Sequence, residues 1–234
     1  MRSHGLKALL GATALSLTFA TPAWAEGLSA SAAATTNYLF RGITQTLDKP
    51  TVQASIGYDF GNGITIGAWG SGIDFGDGKS ILETDYSATY STSWQDLDLS
   101  FGGIYYAYPT STSAWNYDYF EAWAGVGHDF GPFSLNASVY YSPDFFGGAG
   151  DGWYFQIGAG VPITDWLSAS GAYGYQTVDT PFYFITKNDY SNWNLGLTAT
   201  YKAYSLGVMY SQTDLVNLGG LQDAKFVVTL SASI

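Results

Sequence analysis

Apolar and polar residues alternate with a period of two along most of the chain. Residues 133–142 read FSLNASVYYS and residues 225–234 read KFVVTLSASI, and in both segments every second side chain is apolar while those between are mostly small or polar. Residues 51–60, TVQASIGYDF, show the same pattern. Such alternation predicts β-strands with one apolar and one polar face.

The alternating segments predict about twelve strands of about 10 to 12 residues, a length that suits tilted membrane-spanning strands better than the strands of soluble proteins. The predicted strands are 28–39, 51–60, 64–73, 81–92, 97–108, 117–130, 133–142, 153–163, 167–178, 190–201, 204–213 and 224–234.

The connections between these strands alternate between short and long. Gly61-Asn62-Gly63, Gly131-Pro132 and Lys202-Ala203 are among the short ones. Tight turns at one end and longer loops at the other, along an even number of strands, are typical of outer-membrane barrels, whose tight turns lie on the periplasmic side. The sequence therefore predicts an all-β fold, a transmembrane antiparallel up-and-down β-barrel of about 12 strands.

A soluble barrel, such as a lipocalin-like carrier, would alternate in the same way with its apolar face inside. In this chain the polar face consists largely of Gly, Ser, Ala, Thr and Asn, with few of the long charged side chains that cover a water-exposed surface. Aromatic residues also lie close to the predicted strand ends, as in the aromatic girdles of membrane barrels. These features favour the membrane barrel over the soluble one.

Residues 1–25 have the features of a cleaved signal peptide. Arg2 and Lys7 accompany a short apolar segment, and Ala23-Trp24-Ala25 is a typical cleavage site. The alternative, an uncleaved signal anchor, needs a longer apolar run of about 20 residues. We therefore expect an exported protein in which residues 26–234 form an outer-membrane β-barrel domain, localised to the cell outer membrane.

The charge and composition narrow the range of partners. Without Arg2 and Lys7, 6 of the 8 basic residues remain against 19 acidic ones, a formal net charge of −13. Such an acidic chain is not expected to bind nucleic acid. The chain has no cysteine, so no disulfide stabilises the fold. For an exported barrel we expect outer-membrane lipid, small-molecule or ion solutes, and the barrel assembly machinery as partners.

One residue raises a specific question, because Arg41 is the only arginine outside the predicted signal peptide. It lies in NYLFRGITQT, residues 37–46, without an acidic neighbour. Its parity in the first predicted strand places it in the lumen at the extracellular mouth. Glu83, Asp85 and Glu121 have lumenal parity near the same end. These four residues are candidates for a pore constriction or plug, or for a structural bridge across the barrel.

Four motifs carry a resemblance to a known family. YLFRGITQT, WGSGIDFGDG at 69–78, YYAYP at 105–109 and DYFEAW at 118–123 resemble the TorF family of porins from proteobacteria. The resemblance extends in order over essentially the whole chain after the signal peptide. It implies an outer-membrane barrel that passes small solutes, and it implies no particular substrate.

Little in the sequence suggests catalysis. His128 is the only histidine outside the predicted signal peptide, and its parity places it toward lipid beside a periplasmic turn. Asp-Phe-Gly occurs at 59–61, 74–76 and 129–131, but no kinase catalytic loop accompanies it, so we interpret these tripeptides as turns. The acidic loops lack the spacing of an EF-hand. We expect no enzymatic activity, no cofactor and no metal site.

Two classes of function remain open. The first is a porin, a passive diffusion channel for small polar solutes, with a weak cation preference because three lumenal acids oppose one arginine. The second is a closed structural or surface-interaction barrel that acts through its extracellular loops. Eight-stranded barrels are filled by their own side chains and sixteen-stranded ones leave a channel, so about twelve strands do not decide between the two classes.

Overall fold

The computed structural model describes residues 27–181, 185, 187–216 and 219–234, apart from the side chain of Ser113. The predicted signal peptide at residues 1–25 lies outside the described residues, so its cleavage stays a prediction. Among the residues that are described, no helix is long and apolar enough to cross a lipid bilayer.

The described residues form twelve barrel strands, a small hairpin inside the barrel, and one short 3-10 helix. The barrel strands are β1 (Gly27–Thr35), β4 (Thr51–Asp59), β5 (Ile64–Gly72), β6 (Leu82–Trp94), β7 (Leu97–Ala107), β8 (Tyr119–Asp129), β9 (Ser134–Ser142), β10 (Gly152–Pro162), β11 (Leu167–Val178), β12 (Asp189–Tyr201), β13 (Tyr204–Thr213) and β14 (Lys225–Ser233). The hairpin strands are β2 (Leu39–Phe40) and β3 (Ile43–Thr44), and the 3-10 helix is Ser113–Trp115.

The sheet closes on itself. Each barrel strand pairs antiparallel with the barrel strands that precede and follow it, and β1 pairs with β14 to complete the ring. At this seam Ala32 lies opposite Ala232, and on its other side it lies opposite Ala54. Closure gives every strand two hydrogen-bonded neighbours, as a sheet in hydrocarbon requires. The twelve-strand antiparallel barrel confirms the predicted fold class, and eleven predicted strands agree with the structure within two residues at each end.

Apolar side chains cover the outside of the barrel. In β14, Phe226, Val228 and Leu230 are exposed, whereas Thr229 and Ser231 are partly buried on the opposite, lumenal face. Exposed Leu, Ile, Val and aromatic residues recur on the other strands. An apolar surface of this extent is unfavourable in water but suits the hydrocarbon of a bilayer.

The first strand is shorter than predicted. β1 ends at Thr35 rather than at residue 39, and the chain then leaves the barrel wall and folds into the lumen. There Phe40 pairs with Ile43, and Arg41 and Gly42 form a two-residue turn. Both turn residues have positive φ, 47° and 85°, as a type I′ turn requires. Because the alternation continues past Thr35 into NYLF, the sequence pattern predicted a longer strand.

Residues 36–50, which we call the lumenal hairpin, are fixed at their base by buried polar contacts. The Asn37 side-chain oxygen accepts hydrogen bonds from the hydroxyls of Thr44 and Thr46 at 2.6 and 2.9 Å. The Asn37 amide donates to the Asp48 carboxylate at 2.8 Å. Because buried polar groups are costly without partners, this network favours a single conformation of the hairpin.

Two clusters of buried residues fill the lumen at the long-loop end of the barrel and cover the hairpin. The larger contains Tyr38, Ile73, Phe75, Ile104, Tyr106, Tyr108, Tyr117, Tyr119, Phe145, Phe146, Ala149 and Val178, and the smaller contains Ile185, Tyr190 and Leu215. Toward the short turns the lumenal face instead carries small residues that remain partly accessible, such as Ser87, Gly125 and Thr198. The lumen is therefore filled in one half and lined by small residues in the other.

Candidate functional site

Arg41 lies at the tip of the lumenal hairpin and contacts the far wall of the barrel. Its Nη2 donates to both carboxylate oxygens of Glu121, at 2.9 and 2.7 Å, and its Nη1 donates to Oε1 of Gln176 at 2.5 Å. Glu121 is on β8 and Gln176 on β11, which lie five and four strands around the ring from β1. Arg41 is 6% exposed and Glu121 0%. These hydrogen bonds therefore tie the hairpin across the lumen.

Four aromatic rings surround the guanidinium of Arg41. Its central carbon lies 4.1 Å from the ring centroid of Tyr154, 4.7 Å from Phe40, 5.4 Å from Tyr140 and 5.7 Å from Phe145. A cation within about 6 Å of a ring face is attracted by the ring. The rings also exclude water, which strengthens the ion pair with Glu121 and makes either charge costly if it is left alone.

All four predicted site residues are buried inside the barrel, and of the three carboxylates only Glu121 is bonded directly to Arg41. Glu83 accepts a hydrogen bond from the Tyr38 hydroxyl at 3.0 Å. Asp85 is 0% exposed, and neither of its carboxylate oxygens has a hydrogen-bond partner within the described part of the chain. The ion pairs of the described residues do not join Arg41 to Glu83 or Asp85. All three carboxylates are inside the barrel, and their role in a pore stays a prediction.

Arg41 lies in the lumen as predicted, but the predicted reason, its parity in the first barrel strand, is wrong. Arg41 belongs to no barrel strand, because β1 ends at Thr35. It is inside the lumen because the lumenal hairpin folds inward, and the turn places it at the tip.

Several contributors to the site were not predicted. Gln176 and Tyr154 have lumenal parity on β11 and β10, where most neighbours of that parity are small. A long polar or aromatic side chain among small ones is a pattern that could have identified Gln176 and Tyr154 from the sequence. In the structure Gly174 leaves room for Tyr154, because a Cβ there would clash with the Tyr154 side chain.

A pocket, which we call the lumenal pocket, lies between the hairpin and the wall formed by β7 to β13. The space in it that the centre of a water-sized molecule can occupy is about 20 Å³. The lining residues are Leu39, Phe40, Arg41, Gly42, Tyr106, Tyr140, Tyr154, Gln156, Asn192, Asn194, Met209 and Ser211. The pocket combines aromatic faces with amide side chains.

The tip of the hairpin is packed closely against this wall at Gly42. A Cβ added there would lie 2.5 Å from Cγ2 of Thr213 and 3.1 Å from Cβ of Asn192. Glycine therefore serves two needs at this position, the positive φ of the turn and the close approach to β12 and β13.

An exposed ion pair joins the end of the hairpin to the next long loop. Lys49 Nζ lies 2.7 Å from a carboxylate oxygen of Asp74. This hydrogen bond, together with one from the backbone amide of Gly76, lowers the pKa of Asp74 below its ordinary range. Since the pair is exposed, its contribution to the stability of the protein is small.

The motifs considered for catalysis have structural partners. Nδ1 of His128 lies 2.5 Å from the carbonyl oxygen of Asp96, next to a short turn. In all three Asp-Phe-Gly tripeptides the aspartate accepts a hydrogen bond from the amide of the glycine, which has positive φ. This confirms that the tripeptides are turns. In the described residues no group of three or more His, Asp or Glu side chains is arranged to hold a metal ion.

The closed twelve-strand sheet, the apolar exterior and the inward-folded hairpin define a porin-like transmembrane β-barrel. The chain belongs to the family described as bacterial protein of unknown function (Gcw_chp), whose model matches residues 19–233. The predicted resemblance to the TorF family is not confirmed by this match. No curated protein matches the chain.

Solved structures with a similar fold include porins. The NanC porin is 9% identical, with a TM-score of 0.61 over 89% of this chain and 99% of that chain. A structure from a study of the in-meso crystallization of membrane proteins is 11% identical, with a TM-score of 0.53 over 88% and 83% of the two chains. At such identities the similarity concerns the fold alone.

Proposed function

We propose that this protein is an outer-membrane porin, a passive diffusion channel for small polar solutes whose lumen is narrowed by the lumenal hairpin. The signal peptide at residues 1–25 would direct its export, and the barrel assembly machinery would insert it with its long loops outside. The observation that carries this proposal is the lumen itself. Half of it is lined by small residues, and the lumenal hairpin, which belongs to no barrel strand, crosses the other half.

The proposed channel has a weak cation preference. Glu121 is neutralised by Arg41, but Glu83 and Asp85 have no cationic partner in the described part of the chain. Both are buried behind the hairpin, where a carboxyl group without a cationic partner favours its neutral form, so they add negative charge to the narrow section only when the hairpin moves and water reaches them. Acidic side chains around a pore favour cations in transit.

A second candidate function is a closed barrel that acts through its extracellular loops. The buried aromatic clusters at the long-loop end favour it, because they fill the lumen there. The two functions predict different ion currents when the hairpin is removed. The current through a porin should rise, and a closed barrel should still not conduct.

The test is single-channel conductance of the refolded protein in a planar bilayer. The wild type is compared with a variant in which residues 37–47 are replaced by a short Gly-Ser linker. A porin narrowed by the hairpin should conduct, and the linker variant should conduct more. If neither protein conducts while both migrate as folded, heat-modifiable barrels, the barrel is closed and the channel proposal fails.

Two further measurements complete the test. Reversal potential across a salt gradient reports selectivity, and changing Glu83→Gln together with Asp85→Asn should reduce the preference for cations. Fractionation of cells should recover the protein with the outer membrane. Recovery in the soluble periplasmic fraction would exclude the proposed location.

A further inference from the structure

We propose that Glu83 and Asp85 make the docking of the lumenal hairpin depend on pH, since both carboxyl groups carry a proton while the hairpin is docked and lose it when the hairpin leaves. The proposed channel would therefore open more often as the pH rises. This inference concerns the regulation of that channel, and it rests on the proposed function for its effect on ion current.

The two carboxyl groups lie on the lumenal face of β6 and are closed off from water. Glu83 is 1% exposed and Asp85 0%. Oε2 of Glu83 and both carboxylate oxygens of Asp85 are buried without a hydrogen-bond partner in the described part of the chain. A charged carboxylate in such a place loses its hydration without compensation, whereas the neutral form avoids most of that cost. A proton, unlike a hydrated metal ion, needs no additional space there.

The surrounding groups supply no free positive charge to either carboxyl group. The titratable or charged groups nearest to them are Tyr38 and Arg41 from the hairpin, Tyr106 and Tyr108 from β7 and the residue after it, and Tyr119 and Glu121 from β8. On β5 their cross-strand neighbours are Ser71 and Trp69, which do not titrate. Among these groups Arg41 is the one cation, and it is paired with Glu121 at 2.7 Å. The charges therefore balance when Glu83 and Asp85 are protonated.

Tyr38 connects both carboxyl groups to the hairpin. Its hydroxyl donates to Oε1 of Glu83 at 3.0 Å. Its ring packs edge-on against Trp69, with centroids 5.3 Å apart, and Trp69 lies directly opposite Asp85. When Tyr38 leaves with the hairpin, water should reach both carboxyl groups, and a carboxyl group in water loses its proton at about pH 4. The hydrogen bond from Tyr38 favours ionised Glu83 and offsets part of the effect of burial, so Asp85 should contribute more.

The direction of the pH dependence follows from the protons that are released. The undocked state binds up to two fewer protons. Above about pH 4, each pH unit should therefore favour undocking by up to about tenfold for each carboxyl group, until the docked groups themselves ionise. Docking is strongest in acid and is lost as the pH rises. The ion pair between Arg41 and Glu121 has the opposite dependence, because acid protonates Glu121 and weakens the pair.

Hydrogen exchange of the folded barrel in detergent micelles tests the proposal without an ion current. The backbone amide of Thr44 donates to the carbonyl of Leu221, outside the hairpin, at 3.2 Å, so its protection reports docking. After correction for the intrinsic effect of pH on exchange, we expect this protection to fall about tenfold or more between about pH 5 and about pH 8. Glu83→Gln with Asp85→Asn, which cannot ionise, should keep the protection seen in acid at every pH. Asp85→Asn alone should remove the larger part of the change, and it serves if the double variant does not fold.

Asp98→Asn is the matched control, since Asp98 is an exposed carboxylate on the lumenal face near a short turn. It should leave the pH dependence unchanged. The proposal is wrong if the protection of Thr44 in the wild type does not depend on pH, or if it falls toward acid, as titration of Glu121 would cause. It is also wrong if both amide variants lose protection with rising pH like the wild type.

Single-channel recording over the same pH range separates this inference from the proposed function. The open fraction should rise as the protection of Thr44 falls. Loss of protection in a barrel that does not conduct at any pH would contradict the proposed channel and leave the pH-dependent docking intact.

Discussion

Replacing Arg41 with alanine should release the lumenal hairpin and enlarge the pore. The substitution removes the ion pair with Glu121, the hydrogen bond to Gln176 and four ring contacts. It leaves the Glu121 carboxylate buried, with a hydrogen bond from the Tyr106 hydroxyl at 3.0 Å. The barrel wall is untouched, because Arg41 belongs to no barrel strand.

The magnitude follows from the burial of the pair. Removing one partner of a buried ion pair costs about 3 to 5 kcal/mol, mostly because the other charge is left uncompensated. Applied to the docking of the hairpin, that cost lowers the ratio of docked to undocked states by roughly a hundredfold or more. Arg41→Lys should be intermediate, since a lysine supplies charge without the planar fork that binds two partners.

A double change separates the ion pair from simple loss of packing. Arg41→Ala with Glu121→Gln removes both charges, so the combined cost should be smaller than the sum of the two single costs. Additive costs would show that the pair contributes little to docking.

Single-channel recording is the assay. For Arg41→Ala we expect a larger mean conductance, more frequent openings and a stronger preference for cations, because the one opposing positive charge is lost. Lys202→Ala is the control, since Lys202 also has positive φ but lies in a short turn. If Arg41→Ala has the conductance and selectivity of Lys202→Ala, or shifts toward anions, Arg41 is only a structural tie and the constriction hypothesis is wrong.

Three other substitutions test separate parts of the structure. Leu230→Arg places a charge on the lipid face and should cost about 2 to 4 kcal/mol near the midplane, whereas Ser231→Arg in the lumen should assemble; equal assembly yields would show that the faces are reversed. Gly42→Ala should undock the hairpin and raise conductance without lowering the thermal stability of the barrel, and an unchanged current would contradict the close packing of the tip. Lys49→Ala should raise the pKa of Asp74 in an NMR titration. With Lys49 present that pKa is depressed, so the small stabilisation exists at neutral pH and is lost as the pH falls through it; an unchanged pKa would show that the pair does not form.

The barrel wall was predictable because its two solvents impose a strict period of two. Each wall strand has hydrocarbon on one side and the lumen on the other. From Thr51 onward, the outward positions of a strand are therefore apolar and the inward positions between them are mostly small or polar. Short turns with Gly, Asn or Pro mark where one strand ends and the next begins. Both signals are local, so reading them requires no knowledge of distant contacts.

The lumenal hairpin escaped prediction because its determinants are not local. Tyr38 and Phe40 continue the alternation of β1, but they are buried inside the barrel rather than exposed outside it. The Arg41-Gly42 pair is a weak signal for a type I′ turn, since the usual first residues are Asn, Asp or Gly. What holds the tip of the hairpin inside the lumen is contact with Glu121 and Gln176, which are 80 and 135 residues away in the chain.

The uneven filling of the lumen has a consequence for any solute that crosses it. Sections of a channel act in series, so the narrowest section sets both conductance and selectivity. In the proposed channel, the half lined by small residues such as Ser87 and Thr198 adds little resistance. The section at Arg41 and Glu121 holds the hairpin and the buried carboxyl groups. Resistance and charge selectivity should therefore change together when the hairpin moves, and independently of the barrel wall.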